Sequence, residues 1–208
     1  MKYRTIVADP PWPMKWSGGA STRVNGRGER HGNARATVKA LPYPVMSIDE
    51  IAALPIHGLA EPDAHLYLWI TDGFLLDGVA RRVVEAWGFT RPRLLVWHKT
   101  GFGLGTFPRP QHEVCIVAVR GSAPFRARNV GSVQTWPLVY EPAGLSHGRK
   151  HSAKPPAFHD LVEQVSPGPY LELFARSQRL GWDTWGNEAL EHVIMSRGPG
   201  ADTDEDSA

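Results

Sequence analysis

The sequence predicts an α/β fold built on a mainly parallel sheet, and three observations carry that prediction. Short apolar runs of strand length alternate with segments of helical period. The residues with chemistry to offer fall just past the ends of the strand-like runs, where open α/β sheets gather their ligands. The 208 residues suit one domain that buries its own core.

The elements follow in order. Residues 3–8 are a first strand, ended by the turn formers Asp9, Pro10 and Pro11. Residues 63–70 read as a second. Thr71 and Asp72 then offer caps to a helix whose apolar face is Leu76, Val79, Ala80, Val83 and Trp87, and Gly88 stops it. Residues 93–98 and 113–119 are further strands, and the single cysteine, Cys115, sits in the latter as packing. Pro155-Pro156 opens a helix with Phe158, Leu161, Val162 and Val165 on one face, and Ser166-Pro167-Gly168 ends it. Residues 170–174 form another strand and 182–185 a shorter last one. Trp87, Trp136, Trp182 and Trp185 read as packing.

Between these elements, 15–42, 101–111 and 121–151 read as loops, long enough to be functional. The last thirteen positions, 196–208, start Ser-Arg-Gly-Pro-Gly and turn acidic, which predicts a disordered tail.

Composition removes several classes of function. One cysteine excludes a disulfide framework and a cysteine-based zinc site. His112 and Glu113 are neighbours on a strand and point to opposite faces, so they are not read as a metal pair. No metal is expected. No segment has the length and apolarity of a membrane span. Asp9 and two prolines interrupt the N-terminal apolar run, so no signal peptide is read and a cytoplasmic location is expected. A net charge of +2 permits a nucleic-acid partner without demanding one. Gly101-x-Gly103-x-Gly105 follows a strand, but Pro108 and Pro110 follow it instead of a helix, so it is no dinucleotide fingerprint. Arg23, Arg27, Arg30, Arg35 and Lys39 stud one loop, and His147, Arg149, Lys150 and His151 another. Both sets are candidates for phosphate contact.

The tetrapeptide Asp9-Pro10-Pro11-Trp12 holds the sharpest chemistry. A carboxylate can accept one proton of an exocyclic amine and a prolyl carbonyl the other. The prolines fix φ, so both acceptors are preset. An indole offers a face on which a base stacks.

Further motifs follow in order. They are Tyr43-Pro-Val-Met46, Leu66-Tyr-Leu-Trp69-Ile-Thr71, Trp97-His98-Lys99-Thr100, His112-Glu113, His151-Ser-Ala-Lys154-Pro155, Leu171-Glu172-Leu-Phe174-Ala-Arg176 and Gly186-Asn187-Glu188. From about residue 2 to 188 the chain resembles the MT-A group of adenine-N6 methyltransferases in its compact bacterial or phage form. The resemblance implies a Rossmann-like methyltransferase fold of permuted order, catalytic strand first and cofactor strand last. It implies a catalytic domain over 1–190, with 15–42 and 121–151 as substrate-side loops. The implied cofactor is S-adenosylmethionine (SAM), and the implied reaction is methyl transfer to the exocyclic amine of adenine in DNA, with RNA as the alternative substrate.

By the same resemblance, Asp9, Pro10, Pro11 and Trp12 are catalytic. Ala8, Asp9, Lys154, Glu172, Arg176, Asn187 and Glu188 match cofactor positions. Tyr43, Trp69, Trp97 and Lys99 match the substrate side. Ser177-Gln178-Arg179 departs from a His-Asn pair that touches the cofactor in the eukaryotic enzyme. The expected partner is nucleic acid, DNA in preference to RNA, with no membrane and with a homodimer left open. A non-catalytic nucleic-acid-binding subunit is the reading from another class, and the intact tetrapeptide argues against it. A nicotinamide oxidoreductase is disfavoured because the first strand lacks Gly-x-Gly-x-x-Gly.

Overall fold

The structure is a computed structural model that describes residues 1–13, 45–101, 108–138 and 153–185. Tyr43, Asn187, Glu188, the 15–42 loop, both basic loop clusters and the tail lie outside the described residues. Seven strands form one sheet: β1 (Tyr3–Ala8), β2 (Ala60–Ile70), β3 (Thr90–Lys99), β4 (His112–Arg120), β5 (Val133–Trp136), β6 (Tyr170–Leu173) and β7 (Trp182–Trp185). Their order is β5-β3-β4-β2-β1-β6-β7. Only β4 is antiparallel to its neighbours, β2 and β3; the other pairings are parallel. The fold is therefore the mixed α/β, mostly parallel sheet that the sequence predicts. The permuted order is visible too, because β1 from the start of the chain lies directly beside β6, with Ala8 paired to Leu173.

Strand alternation divides the core into two layers. On one face Ile6, Ala8, Leu66, Leu68, Ile70, Val114 and Ile116 pack under α1 (Ile48–Ala52), α2 (Ile56–Leu59), α3 (Asp72–Leu76) and α4 (Val79–Ala86). On the other, Val7, Tyr67, Trp69, Leu95, Trp97 and Cys115 pack under α5 (Pro156–Val165). The β2 run 64–70 is buried throughout, as a central strand covered on both faces must be.

Three sequence expectations need correction. Helix α1 was not anticipated, although Ser47 and Glu50 form a full capping box: Ser47 Oγ accepts from Glu50 N at 3.2 Å, and Glu50 Oε2 accepts from Ser47 N at 2.7 Å. The expected single helix after β2 is two short ones, because Gly78 adopts a left-handed φ of 76° between them. That break rotates Leu76 away from the face formed by Ala80 and Val83, and it is 85% exposed. Thr71 caps α3 through its backbone alone, with no side-chain hydrogen bond. Finally, the stretch read as a loop over 121–151 contains β5, whose Val133–Trp136 ladder pairs with Val96–Lys99.

Cys115 is wholly buried, and burial pushes its thiol well above the ordinary range, as expected of a packing cysteine. Among the described residues, no helix is long and apolar enough to cross a membrane.

Candidate active site

The parallel ladder ends at Ala8, and the chain then runs Asp9-Pro10-Pro11-Trp12 across the carboxyl ends of β1 and β2. A local bond from Trp12 N to Pro10 O at 2.8 Å tightens this turn. Pro11 O accepts from Met46 N at 3.0 Å, which ties the turn to the segment leading into α1. The Pro10 carbonyl keeps a second lone pair for a ligand. Trp12 donates its indole N–H to Trp69 O at 3.0 Å and packs against Phe74 with centroids 5.6 Å apart. It is 5% exposed, so its ring is a fixed wall rather than a swinging one.

A cavity of about 310 Å³ opens here. Asp9, Pro10, Pro11, Trp12, Trp69, Lys154 and Arg176 line it, all of them named by the sequence. Ile70, Thr71, Asp72, Pro110 and Glu113 complete the wall. Arg176 reaches the cavity because the chain turns sharply after β6: Phe174 takes a left-handed φ of 63°, packs on Trp185, and is followed by an Ala175 N to Trp185 O bond of 3.1 Å.

The electrostatic centre is a row of alternating charges. Lys154 Nζ lies 2.7 Å from Asp9 Oδ2 and 3.2 Å from Glu113 Oε2, and Lys99 Nζ lies 2.5 Å from Glu113 Oε1. The ammonium groups also sit on ring faces, Lys154 5.0 Å above Trp69 and Lys99 5.2 Å above Trp97. Burial by itself would push Lys154 down, but Asp9 and Glu113 outweigh it and hold the ammonium above its ordinary range. Burial would push Glu113 up, but Lys154 and Lys99 hold its carboxyl below the usual glutamate range.

Glu113 is the residue that sequence reading missed. It and His112 do point to opposite faces, as the strand geometry requires: His112 Nε2 meets Asp72 Oδ1 at 3.2 Å, while Glu113 turns toward the lysines. The signal was a pair of opposite charges, Lys99 and Glu113, on strands whose other inward positions are apolar.

Other residues named by the sequence, Ala8, Trp97, Lys99 and Glu172, do not line this cavity. Trp97 meets Trp69 edge to face at 6.4 Å and donates its N–H to Trp136 O at 2.9 Å. Ala8 is fully buried in the ladder. Glu172 pairs with Val7 in register and is held by His159 on α5 at 3.1 Å. Arg179, which stands in the departing Ser-Gln-Arg segment, turns to α5. There its guanidinium donates to Glu163 Oε1 and Oε2 at 2.7 and 2.9 Å and to Asp160 Oδ1 at 2.7 Å.

The donor set suits a ligand with hydroxyls, a carboxylate and a flat apolar part. Arg176 supplies a cation and Asp9 an anion on the cavity wall, and Pro11, Trp12 and Ile70 supply apolar surface. The indole N–H of Trp69 is buried with no hydrogen-bond partner among the described residues.

Comparison with known proteins places the arrangement. The MT-A70 family model matches residues 3–188. The type II methyltransferase M.MunI of Mycoplasma sp is 29% identical over 202 residues, covering 93% of this chain and 80% of that protein. The human N(6)-adenine-specific methyltransferase METTL4 is 29% identical over 208 residues, covering 92% of this chain and 39% of METTL4. The human N(6)-adenosine-methyltransferase catalytic subunit METTL3 is 27% identical, covering 90% of this chain and 28% of its own length.

Proposed function

This chain belongs to the MT-A70 family, and from that premise we propose that it transfers the methyl group of SAM to the exocyclic amine of adenine in DNA. The observation that carries the reading is the Asp9 carboxylate on the cavity wall, pinned by Lys154 at 2.7 Å and followed by a prolyl carbonyl. DNA is preferred because M.MunI, a type II methyltransferase, is matched over 80% of its length, whereas the relative named for adenosine is matched over 28%.

Bound SAM supplies an electrophilic methyl group. In this reading Lys154, Glu172, Arg176 and the Ala8-Asp9 backbone hold it, together with Asn187 and Glu188. The adenine amine is a poor nucleophile, because its lone pair is delocalised into the ring. Asp9 and the Pro10 carbonyl each accept one of its protons, which turns the nitrogen toward tetrahedral geometry and exposes the lone pair. SAM bound there would offer its methyl carbon to that lone pair, and the extra proton of the alkylated amine would pass to solvent water. Asp9 need not be a strong base, because an alkylated amine is acidic.

Lys154 does two things for Asp9. It orients the carboxylate, and it bridges it to a second carboxylate, Glu113. Orientation supplies the largest part of the rate gain, for which about 7–11 kcal/mol is available in well-aligned reactions. Complementarity to the amine as it becomes positive adds to it. Reaching the cavity requires the base to leave its stack, at a cost of a few kcal/mol.

The test is transfer of labelled methyl from SAM to duplex DNA, single-stranded DNA and RNA in parallel, with nucleoside analysis. Label in N6-methyldeoxyadenosine supports the reading. Label in RNA alone moves the chain to the RNA reading, and no label with SAM bound favours a non-catalytic nucleic-acid-binding subunit.

A further inference from the structure

We propose that His159 is a positioning residue of the cofactor site, holding the Glu172 carboxylate so that one of its oxygens faces the ribose hydroxyls. The inference rests on Glu172 being a cofactor ligand and asks what fixes it. Glu172 leaves β6 beside Val7 on β1, two positions short of the sharp turn at Phe174. A glutamate there has three side-chain torsions, and its register neighbours, Val7 and Thr184, are an apolar side chain and a hydroxyl that carry no charge to fix its carboxylate.

His159 stops them from the helix above. Its Nε2 lies 3.1 Å from Glu172 Oε2, and the two side chains are 14% and 16% exposed. An ionised carboxylate only accepts, so the ring nitrogen donates. The imidazole is itself clamped: Phe158 meets it edge-on at 5.4 Å and Trp182 at 5.2 Å, and Trp182 is stacked on Tyr170 at 4.7 Å. The ring therefore holds one orientation, and Glu172 inherits it.

The neighbouring carboxylates do not compete for the ring. Glu163, one turn further along α5, accepts from Arg179 and from Trp182 Nε1 at 2.7 Å, and Asp160 accepts from Arg179. The acids around His159 are thus divided: Glu163 and Asp160 with Arg179, Glu172 with His159. Oε2 is occupied by His159, and among the described residues the other oxygen accepts no hydrogen bond, which suits it to accept from a diol. A held carboxylate discriminates ribose from deoxyribose better than a rotating one.

The experiment is calorimetric binding of S-adenosylhomocysteine and its 2′-deoxyribose analogue to the full chain, with thermal melts of the ligand-free proteins. The wild type is expected to favour the ribose ligand by about tenfold. H159F keeps the ring packing and removes the donor; it should bring the two affinities together in a protein that still melts cooperatively, at a somewhat lower temperature because Glu172 loses its partner. H159Q, which restores an N–H donor, should recover much of the preference. E172Q should lose it as H159F does, and adding H159F to E172Q should change nothing further. A purely structural role for His159 would weaken both ligands equally, and that result overturns the proposal, as does undiminished preference in H159F or additive losses in the double variant. If E172Q alone keeps the wild-type preference, the cofactor reading of Glu172 fails and this inference with it. If E172Q loses the preference and H159F does not, only the inference falls.

Discussion

Lys154 and Asp9 meet at 2.7 Å although 145 positions separate them, and the same ammonium group reaches Glu113 at 3.2 Å. One cation therefore links the turn after β1, the start of β4 and the approach to α5. Changes at any of the three should be felt at the others.

Asp9→Ala should reduce methyl transfer by about a hundred- to a thousandfold, the scale on which removing one group aimed at developing charge acts. SAM binding should be largely kept. Labelled-methyl transfer and calorimetry separate the two, and turnover near wild type would remove Asp9 from the mechanism.

Glu113→Ala leaves two lysines that are only about 10% exposed without their shared partner. Breaking such a pair from one side is costly, because the remaining charge keeps its desolvation penalty. We expect a loss of about 3 kcal/mol in urea unfolding, with a smaller loss for Glu113→Gln, which retains an acceptor. Equal stability of all three proteins would mean that the row of charges is unimportant to folding.

The pH dependence follows from the same residue. A carboxyl held low in the folded state binds fewer protons there than in the unfolded chain. Its contribution is complete above the ordinary glutamate value of about 4.3 and is lost as pH falls through and below it. Glu163, held low by Arg179, acts in the same direction. Lys154, held high, keeps its contribution until pH rises beyond about 10.4. Melting curves between about pH 3 and pH 8 should show a steep acid limb, flattened in Glu113→Gln. Superimposable limbs would refute the assignment.

The break at Gly78 makes a contrast between two leucines. Leu76 is 85% exposed and Leu68 is fully buried at the centre of the sheet. Leu68→Ala should cost roughly 2–5 kcal/mol and Leu76→Ala less than about 0.5 kcal/mol. Comparable costs would restore the single continuous helix that the apolar spacing suggests.

Much of the site was legible because its residues follow strands whose apolar pattern is strong. Asp9 and Trp69 stand at or next to the ends of such strands, and Lys154 directly precedes a proline-opened helix. What stayed hidden depends on elements too short to show a period. The five residues of α1 hold little more than one helical turn and the four of β5 only two alternations, so capping and pairing decide them rather than pattern. Arg179 turns to α5 because Asp160 and Glu163 happen to lie on the side of that helix it passes, a register no local spacing encodes. Glu113 was hidden by its strand, where an acid looks like a solvent-facing position until the opposing lysine is placed.

The seat of β1 between β2 and β6 also dictates a timetable for biosynthesis. While the nascent chain is emerging from the ribosome, the strand leading to Asp9 has a neighbour along one side only, since Leu171 and Leu173 are still to be translated. The backbone groups that will face β6 must wait, through some 160 further codons, for their partners to be made. The cleft beside Asp9 therefore cannot be finished until β6, and Arg176 just past it, have been made and have docked on β1.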